Sequence, residues 1–190
     1  LALCEVELED SNTPEQQVIV PRKGVLELQR LLNGKGDLTI ELGDNHIRVE
    51  LSGIRFTSKL IDGRFPEYER VIPADTENSF LADRATLRGA LQRTAILSNE
   101  KYRGIRLIIS DGGLTLQAHN PEQEEAEEQV EVDYSGDEIE IGFNVNYLLD
   151  ALGAIDSEKI NFCVLDSNSS CLLREPGKDD CKYVVMPMRL

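Results

Sequence analysis

The sequence predicts an α+β fold built from one unit, strand–helix–strand–strand–strand, that occurs three times. The first observation is that three short helices with an apolar stripe begin near residues 22, 84 and 144, which are 62 and 60 residues apart. The second is that apolar and polar residues alternate before and after each helix, as they do in half-buried strands. A unit this small cannot bury a helix face and a sheet face alone, so we expect two units to share a domain. The alternative is a chance resemblance between segments of a β-rich protein.

Each predicted helix has a start signal and an apolar stripe. Pro21 suits the first turn of a helix, whereas Asp83 and Asn144 are N-cap residue types. We expect the three helices to continue to about residues 32, 97 and 155. Their apolar stripes are Val25, Leu28 and Leu32; Leu87, Ala90, Leu91 and Thr94; and Val145, Leu148, Leu149 and Leu152.

The strands follow from alternation and from turn residues between neighbouring strands. Hairpin turns are predicted at residues 43–45, 111–113 and 166–168. The predicted strands are 17–20, 37–42, 46–51 and 55–60; 79–82, 104–109, 114–118 and 129–134; and 138–143, 159–165 and 170–173. Residues 1–8 alternate like a strand already under way, and three units make one and a half domains. We therefore expect a longer protein, and a tolerated chain start is the alternative.

Charge is distributed unevenly along the 190 residues. Asp and Glu number 35 against 20 Lys and Arg, which gives a net charge of −15. Ten acids and no base lie between Glu122 and Glu140. Such a run is either a solvated face or a docking surface for a basic partner. The acidity argues against nucleic-acid binding by bulk charge, and no apolar run is long enough for a membrane helix.

Sequence signals for catalysis and for metal binding are weak. The four cysteines and two histidines show no paired ligand spacing, so no metal site or cofactor is predicted. Cys163 is expected to be a core thiol. A disulfide between Cys171 and Cys181 stays open, but without a secretory signal we expect a reducing, cytoplasmic compartment. No nucleophile elbow or phosphate-binding loop occurs, so no catalytic residue is predicted.

Two further features allow two interpretations each. Bases on the first and second predicted helices, including Arg84, Arg88 and Arg93, are either solvated or face DNA phosphates. The apolar end of the chain, residues 183–190, holds both methionines. It is either a final core strand or an adaptable binding surface, for which flexible Met side chains are suited.

Five segments together resemble one family. Residues 20–25 (VPRKGV), 56–66 (FTSKLIDGRFP), 97–104 (LSNEKYRG), 120–128 (NPEQEEAEE) and 184–190 (VVMPMRL) resemble the bacterial DNA polymerase sliding clamp, the β subunit of DNA polymerase III holoenzyme. The resemblance implies a DNA-clamp fold with helices in one layer and antiparallel sheets in the other. It also implies that residues 1–73 are the second half of the middle clamp domain and residues 74–190 the third domain.

The function that the resemblance implies is that of a replication processivity factor without catalytic activity. Two protomers of such a clamp form a ring around duplex DNA. Polymerase, clamp-loader subunits and repair proteins bind it through short peptides of a Gln-Leu-x-x-Leu-Phe kind. The alternatives are an acidic protein-interaction domain with no DNA role, and an enzyme whose site the sequence does not reveal.

The resemblance assigns three groups of residues. It implies DNA-facing roles for Arg22, Lys23 and Arg30. It implies a ring interface formed by Ile96, Leu97, Tyr102, Glu122, Glu124, Glu125 and Glu128. It implies a peptide pocket lined by Leu1, Pro66, Arg70, Val71, Asn144, Tyr147, Val184, Val185, Met186, Pro187, Met188 and Arg189. The family's pocket also has a His and an Arg in a segment that this sequence lacks, so the implied pocket is incomplete.

Overall fold

A computed structural model describes residues 1–8, 15–32, 36–73 and 78–189. The chain divides into two compact units, of which the smaller is Leu8–Glu67 and the larger combines Leu1–Glu7 with Tyr68–Leu190. The predicted domain division after residue 73 stays a prediction. Within the described ranges, no helix is both long enough and apolar enough to cross a membrane.

Fifteen helices and strands follow one another along the described residues, together with two short 3-10 helices, Tyr68–Val71 and Ala95–Leu97. In chain order they are β1 (Ala2–Cys4), α1 (Arg22–Leu31), β2 (Leu38–Leu42), β3 (His46–Leu51), β4 (Ile54–Lys59), β5 (Ser79–Asp83), α2 (Arg84–Thr94), β6 (Gly104–Ser110), β7 (Gly113–His119), β8 (Glu125–Glu131), β9 (Ile139–Asn144), α3 (Val145–Ala154), β10 (Lys159–Cys163), β11 (Cys171–Arg174) and β12 (Cys181–Val185).

The smaller unit consists of α1 and an antiparallel sheet in the order β2-β3-β4. The predicted strand at residues 17–20 was wrong, because that stretch contributes only an isolated bridge from Ile19 to Ile61. The predicted apolar stripe of α1 is largely at the surface, since Val25 is 51% and Leu32 49% exposed. One helix and one three-stranded sheet do not enclose a core, so these side chains stay at the surface.

The larger unit has two antiparallel sheets covered by two helices. The sheets have the strand orders β1-β12-β11-β10-β5 and β8-β7-β6-β9, and α2 and α3 contact each other and both sheets. One core cluster draws on all of these elements, among them Leu87, Ile105, Leu148 and Phe162. The predicted α+β architecture, with helices in one layer and antiparallel sheets in the other, is confirmed.

The helix starts of the larger unit are as predicted. The Asp83 carboxylate accepts a hydrogen bond from the Thr86 amide at 2.7 Å, and the Asn144 side chain accepts one from the Asn146 amide at 3.0 Å. These bonds satisfy amides that a helix start leaves without a partner. The α2 stripe is buried, as is the α3 stripe except for the partly buried Leu149.

One predicted strand was wrong in its bounds, and the disulfide that forms is not the one that the sequence left open. The strand predicted at residues 129–134 is Glu125–Glu131, because the acidic residues pair along β7, with their side chains exposed except for the half-buried Glu128. Cys181 is disulfide-bonded to Cys4 instead of Cys171, and the two Cα atoms lie 4.2 Å apart. Cys171 and Cys163 are buried free thiols.

Candidate functional site

A cleft of about 420 Å³ lies in the larger unit, where helix α3 meets strands β12 and β1. Three large apolar side chains at this cleft remain open to solvent: Tyr147 is 60%, Met186 58% and Leu1 44% exposed. Such exposure is uncommon for large apolar side chains that lie close together, and it marks a surface suited to an apolar ligand. The residues that line the cleft are Leu1, Ala2, Tyr147, Asp150, Ala151, Ala154, Tyr183, Val184, Val185 and Met186.

The helical wall of the cleft follows from spacing along α3. Tyr147, Asp150, Ala151 and Ala154 lie at i, i+3, i+4 and i+7, so they share one face of the helix. The two alanines leave room beside the tyrosine ring, and Asp150 is the one acid of the lining. Sequence analysis predicted Tyr147 but not the other three residues of this face. Their spacing of three, four and seven residues from Tyr147 was a signal that could have revealed them.

The opposite wall is formed by paired strands. Leu1 and Val184 exchange two backbone hydrogen bonds of 2.8 Å, which hold β1 against β12. Val184 and Val185 are almost fully buried and anchor β12 in the core. The Tyr183 hydroxyl donates to the Ala154 carbonyl at 3.3 Å, linking strand and helix. Ala2 and Tyr183 were not predicted as lining residues, since their position depends on pairing between the two ends of the chain.

The predicted pocket residues separate into groups. Leu1, Tyr147, Val184, Val185 and Met186 line the cleft. Asn144 caps α3 and donates to the Tyr102 carbonyl at 3.1 Å. Pro66 belongs to the smaller unit. The remaining predicted residues belong to the larger unit but do not line the cleft, namely Arg70, Val71, Pro187, Met188 and Arg189.

Met188 and Arg189 instead line a second cavity, of about 480 Å³, at one end of the sheet β8-β7-β6-β9. The Met188 amide donates to the Gly142 carbonyl at 2.8 Å, which fixes the end of the chain beside β9. Tyr102 forms part of this cavity, and most of the other lining side chains are polar or charged.

The acidic run forms the edge of the four-stranded sheet. Among the described residues, β8 pairs with β7 alone, so one side of its backbone is open. Arg93 donates two hydrogen bonds of 2.6 Å to the Glu128 carboxylate. The Arg93 guanidinium therefore lowers the pKa of Glu128, and Glu128 raises the pKa of Arg93.

The other predicted ring-interface residues are at the surface to different degrees. Ile96 is 74% and Tyr102 55% exposed, whereas Leu97 is half-buried. Glu124 accepts from Asn120 Nδ2 at 2.7 Å in the turn before β8, and Glu122 and Glu125 are exposed. An exposed isoleucine next to an open, acidic strand edge is a combination suited to pairing with another protein surface.

The basic residues have unequal roles. Arg22 and Lys23 are exposed at the start of α1, and Arg30 forms an exposed ion pair with Glu27 at 3.0 Å. Arg84 instead donates to the Ser157 and Leu152 carbonyls at 2.8 and 3.3 Å. It thus satisfies one carbonyl in the last turn of α3 and one shortly after the helix, a structural role that sequence analysis did not separate from DNA contact.

No cluster of three or more His, Cys, Asp or Glu side chains that could hold a metal ion occurs in the described ranges. The two histidines lie in different places. His46 Nδ1 is 3.0 Å from Asn45 Oδ1, and His119 lines the second cavity. The described surfaces include an apolar cleft and an open acidic edge, both of which suit binding.

Known proteins match the chain along its whole length. Residues 69–189 match the family model for the C-terminal domain of the DNA polymerase III beta subunit, and residues 1–67 match the one for its central domain. The beta sliding clamp of Pseudomonas aeruginosa is 56% identical over 191 residues, covering 100% of this chain and 52% of that protein. That of Escherichia coli K12 is 50% identical over 192 residues, with the same coverage.

Solved structures show the same relationship. A crystal structure of the P. aeruginosa sliding clamp matches with a TM-score of 0.95 over 100% of this chain and 52% of that one, at 56% identity. The Caulobacter crescentus DNA polymerase III beta structure matches with a TM-score of 0.92 at 38% identity, over 100% of this chain and 51% of that one. The chain thus spans about half the length of these relatives, and it belongs to the family of the DNA polymerase III beta subunit, the bacterial sliding clamps.

Proposed function

We propose that the chain acts as part of a DNA replication processivity factor. In this role its cleft binds short peptides of replication proteins, and it carries out no bond chemistry itself. The observation that carries the proposal is the preformed apolar cleft with Tyr147, Met186 and Leu1 exposed on its walls. The relatives named beta sliding clamp support the tethering role and do not favour an acidic domain unrelated to DNA.

The cleft suits a peptide that ends in apolar side chains. An incoming Leu or Phe side chain would cover apolar surface that now faces water, with little cost for reshaping the walls. This favours peptides of the Gln-Leu-x-x-Leu-Phe kind, at a dissociation constant of roughly micromolar or weaker. A solved P. aeruginosa sliding clamp is described as bound to griselimycin, which supports a ligand site in this family.

The acidic edge suits the closure of a ring. The open backbone of β8 can pair with a strand from another protomer, and its acids favour a basic partner edge. Here Ile96, Leu97, Tyr102 and the four predicted acids form the proposed interface. DNA polymerase, clamp-loader subunits and repair proteins are the proposed peptide partners, and the cytoplasm is the proposed location.

Encirclement of duplex DNA agrees with the charge of the chain. A ring that holds DNA by enclosure needs only weak, sequence-independent phosphate contacts, which Arg22, Lys23 and Arg30 on exposed positions of α1 could supply. Strong contacts would slow sliding. The proposed role therefore does not require a large basic surface, and no cofactor is proposed.

Peptide binding tests the proposal directly. A fluorescein-labelled peptide ending in Gln-Leu-x-x-Leu-Phe is titrated with the protein, and its anisotropy is measured. Tyr147→Ala removes a 60% exposed ring from the cleft wall and should raise the dissociation constant at least about tenfold. Deletion of residues 186–190, which removes Met186, should abolish binding.

Tyr102→Ala is the matched control, because Tyr102 is also an exposed tyrosine (55%) but lines the second cavity. Its dissociation constant should stay within about twofold of that of the unaltered chain. Equal loss of binding in both tyrosine variants, or unchanged binding after the deletion, would show that the cleft is not the peptide site.

A further inference from the structure

Asp150 is the one charged side chain on the walls of the cleft. The other lining residues are Leu, Ala, Val, Met and Tyr, and no base is among them. Asp150 is also the only charged residue of helix α3, which has no basic residue in its last turn. A single charge on a mostly apolar wall is a group that can fix the orientation and the identity of a ligand.

The Asp150 carboxylate is exposed and has no partner among the residues that the structure describes. Within those ranges it accepts no hydrogen bond and forms no ion pair. Arg84 donates to the backbone carbonyls of Leu152 and Ser157, near the end of α3, and not to this carboxylate. The negative charge of Asp150 is therefore available to a ligand in the cleft.

Tyr147 lies one helical turn before Asp150 on the same face of α3. Side chains three residues apart on a helix are neighbours, with about 5–6 Å between their Cβ atoms. The Tyr147 ring is 60% exposed, so a ligand can lie against it. Aromatic rings attract a guanidinium or ammonium group, and a carboxylate beside the ring adds an ion pair. Ala151 and Ala154 on this face leave room for the aliphatic part of an Arg or Lys side chain.

We propose that Asp150 and Tyr147 form a subsite for a cationic side chain, so that the cleft prefers peptides with an Arg or Lys beside their apolar residues. The aliphatic part of that side chain covers apolar wall, while its charged group meets the Asp150 carboxylate. Arg fits better than Lys, because its planar guanidinium can stack on the ring and donate two hydrogen bonds to one carboxylate. The preference rests on the proposed function of the cleft.

The expected preference is modest, because Asp150 is exposed. Water and salt weaken an ion pair at such a position. We therefore expect a peptide with Arg at the matching position to bind about three- to fivefold more tightly than its neutral counterpart. A peptide with Glu at that position should bind more weakly than the neutral one, since two like charges then lie close together.

The experiment places Arg, citrulline or Glu in turn at each variable position of a fluorescein-labelled Gln-Leu-x-x-Leu-Phe peptide and at the residue before its Gln. Citrulline keeps the shape of Arg without the charge. Anisotropy titrations of the unaltered chain should show a preference of about three- to fivefold for Arg over citrulline at one of these positions. In Asp150→Asn this preference should vanish, while the dissociation constant of the citrulline peptide stays within about twofold.

Asp156→Asn is the matched control. Asp156 is also an exposed acid, it lies just after α3, and it does not line the cleft. Its replacement removes the same unit of charge from the protein and should leave the Arg preference in place. Thermal unfolding followed by circular dichroism checks that both variants are folded.

Three results would overturn the inference: equal binding of the Arg and citrulline peptides at every position, an Arg preference that Asp150→Asn retains, or an equal loss of the preference in both Asn variants. The last result would mean that the net charge of −15, and not a subsite on α3, attracts the basic peptide. All three leave the proposed function intact as long as the citrulline peptides bind. Absence of binding by every peptide would instead contradict the proposed function, and the cation subsite would fall with it.

Discussion

The two compact units each place an amphipathic helix and antiparallel strands together, but only the larger unit buries the apolar stripe. In α3, Val145, Leu148 and Leu152 are fully buried, whereas in α1 Gly24 is the buried residue and Val25 is 51% exposed. The larger unit has two helices in contact with each other and with two sheets. The difference shows that the periodicity of a helix predicts which of its faces can be buried. Whether that face is buried depends on a second strand–helix unit that packs against it.

The largest expected effect compares one apolar truncation in each unit. Leu148→Ala removes a fully buried side chain from the core and should lower the free energy of unfolding by about 2–5 kcal/mol. Leu26→Ala removes a side chain that is 43% exposed on α1 and should cost less than about 1 kcal/mol. Urea unfolding followed by circular dichroism gives both values. Equal losses would mean that α1 is buried in solution and would remove the contrast between the units.

An intermediate effect concerns helix starts. Asn144 accepts a hydrogen bond from the Asn146 amide at the start of α3, but α1 begins after Pro21 without a side-chain cap. Asn144→Ala should therefore lower the free energy of unfolding by about 1 kcal/mol. Asn144→Asp, which keeps an accepting oxygen, is the control and should retain most of the stability. If the aspartate variant loses as much as the alanine variant, the bond from Asn144 to the Tyr102 carbonyl is the important one, because only the amide can donate it.

Local signals in the larger unit were predictable from the sequence, and long-range ones were not. Asp83 and Asn144 were identifiable as caps because a cap depends on residues within one turn. The strand Glu125–Glu131 was placed four residues too late, because charged residues are tolerated on an exposed edge but carry no strand signal. The partner of Cys181 was missed because pairing of β1 with β12 joins residues 177 positions apart.

The candidate cleft was predictable in part for the same reason. The resemblance to the clamp family supplied Leu1, Tyr147 and Met186, but not the face of α3 that carries Ala151 and Ala154. Those alanines have no chemistry of their own, and their role depends on the distance between α3 and β12. The family resemblance also placed Met188 in the same pocket, whereas the structure places it in the second cavity.

The smallest expected effect concerns charge at the edge strand of the larger unit. Arg93 lowers the pKa of Glu128, so this carboxylate contributes stability above its ordinary pKa, and the contribution is lost as pH falls through the lowered value. Because the guanidinium is 62% exposed, Glu128→Gln should cost less than about 1 kcal/mol at pH 7. Below the lowered pKa, where the carboxylate is protonated in the unaltered chain, the two proteins should have equal stability. Urea unfolding at pH 7 and pH 3 should therefore show a difference that shrinks on acidification. Glu127→Gln is the matched control on the same strand, because within the described ranges the Glu127 side chain accepts a hydrogen bond only from the neutral Gln117 amide. A pH-dependent loss of the same size in the control would show that the acidic edge acts through its total charge, and that the Arg93 pair has no separate contribution.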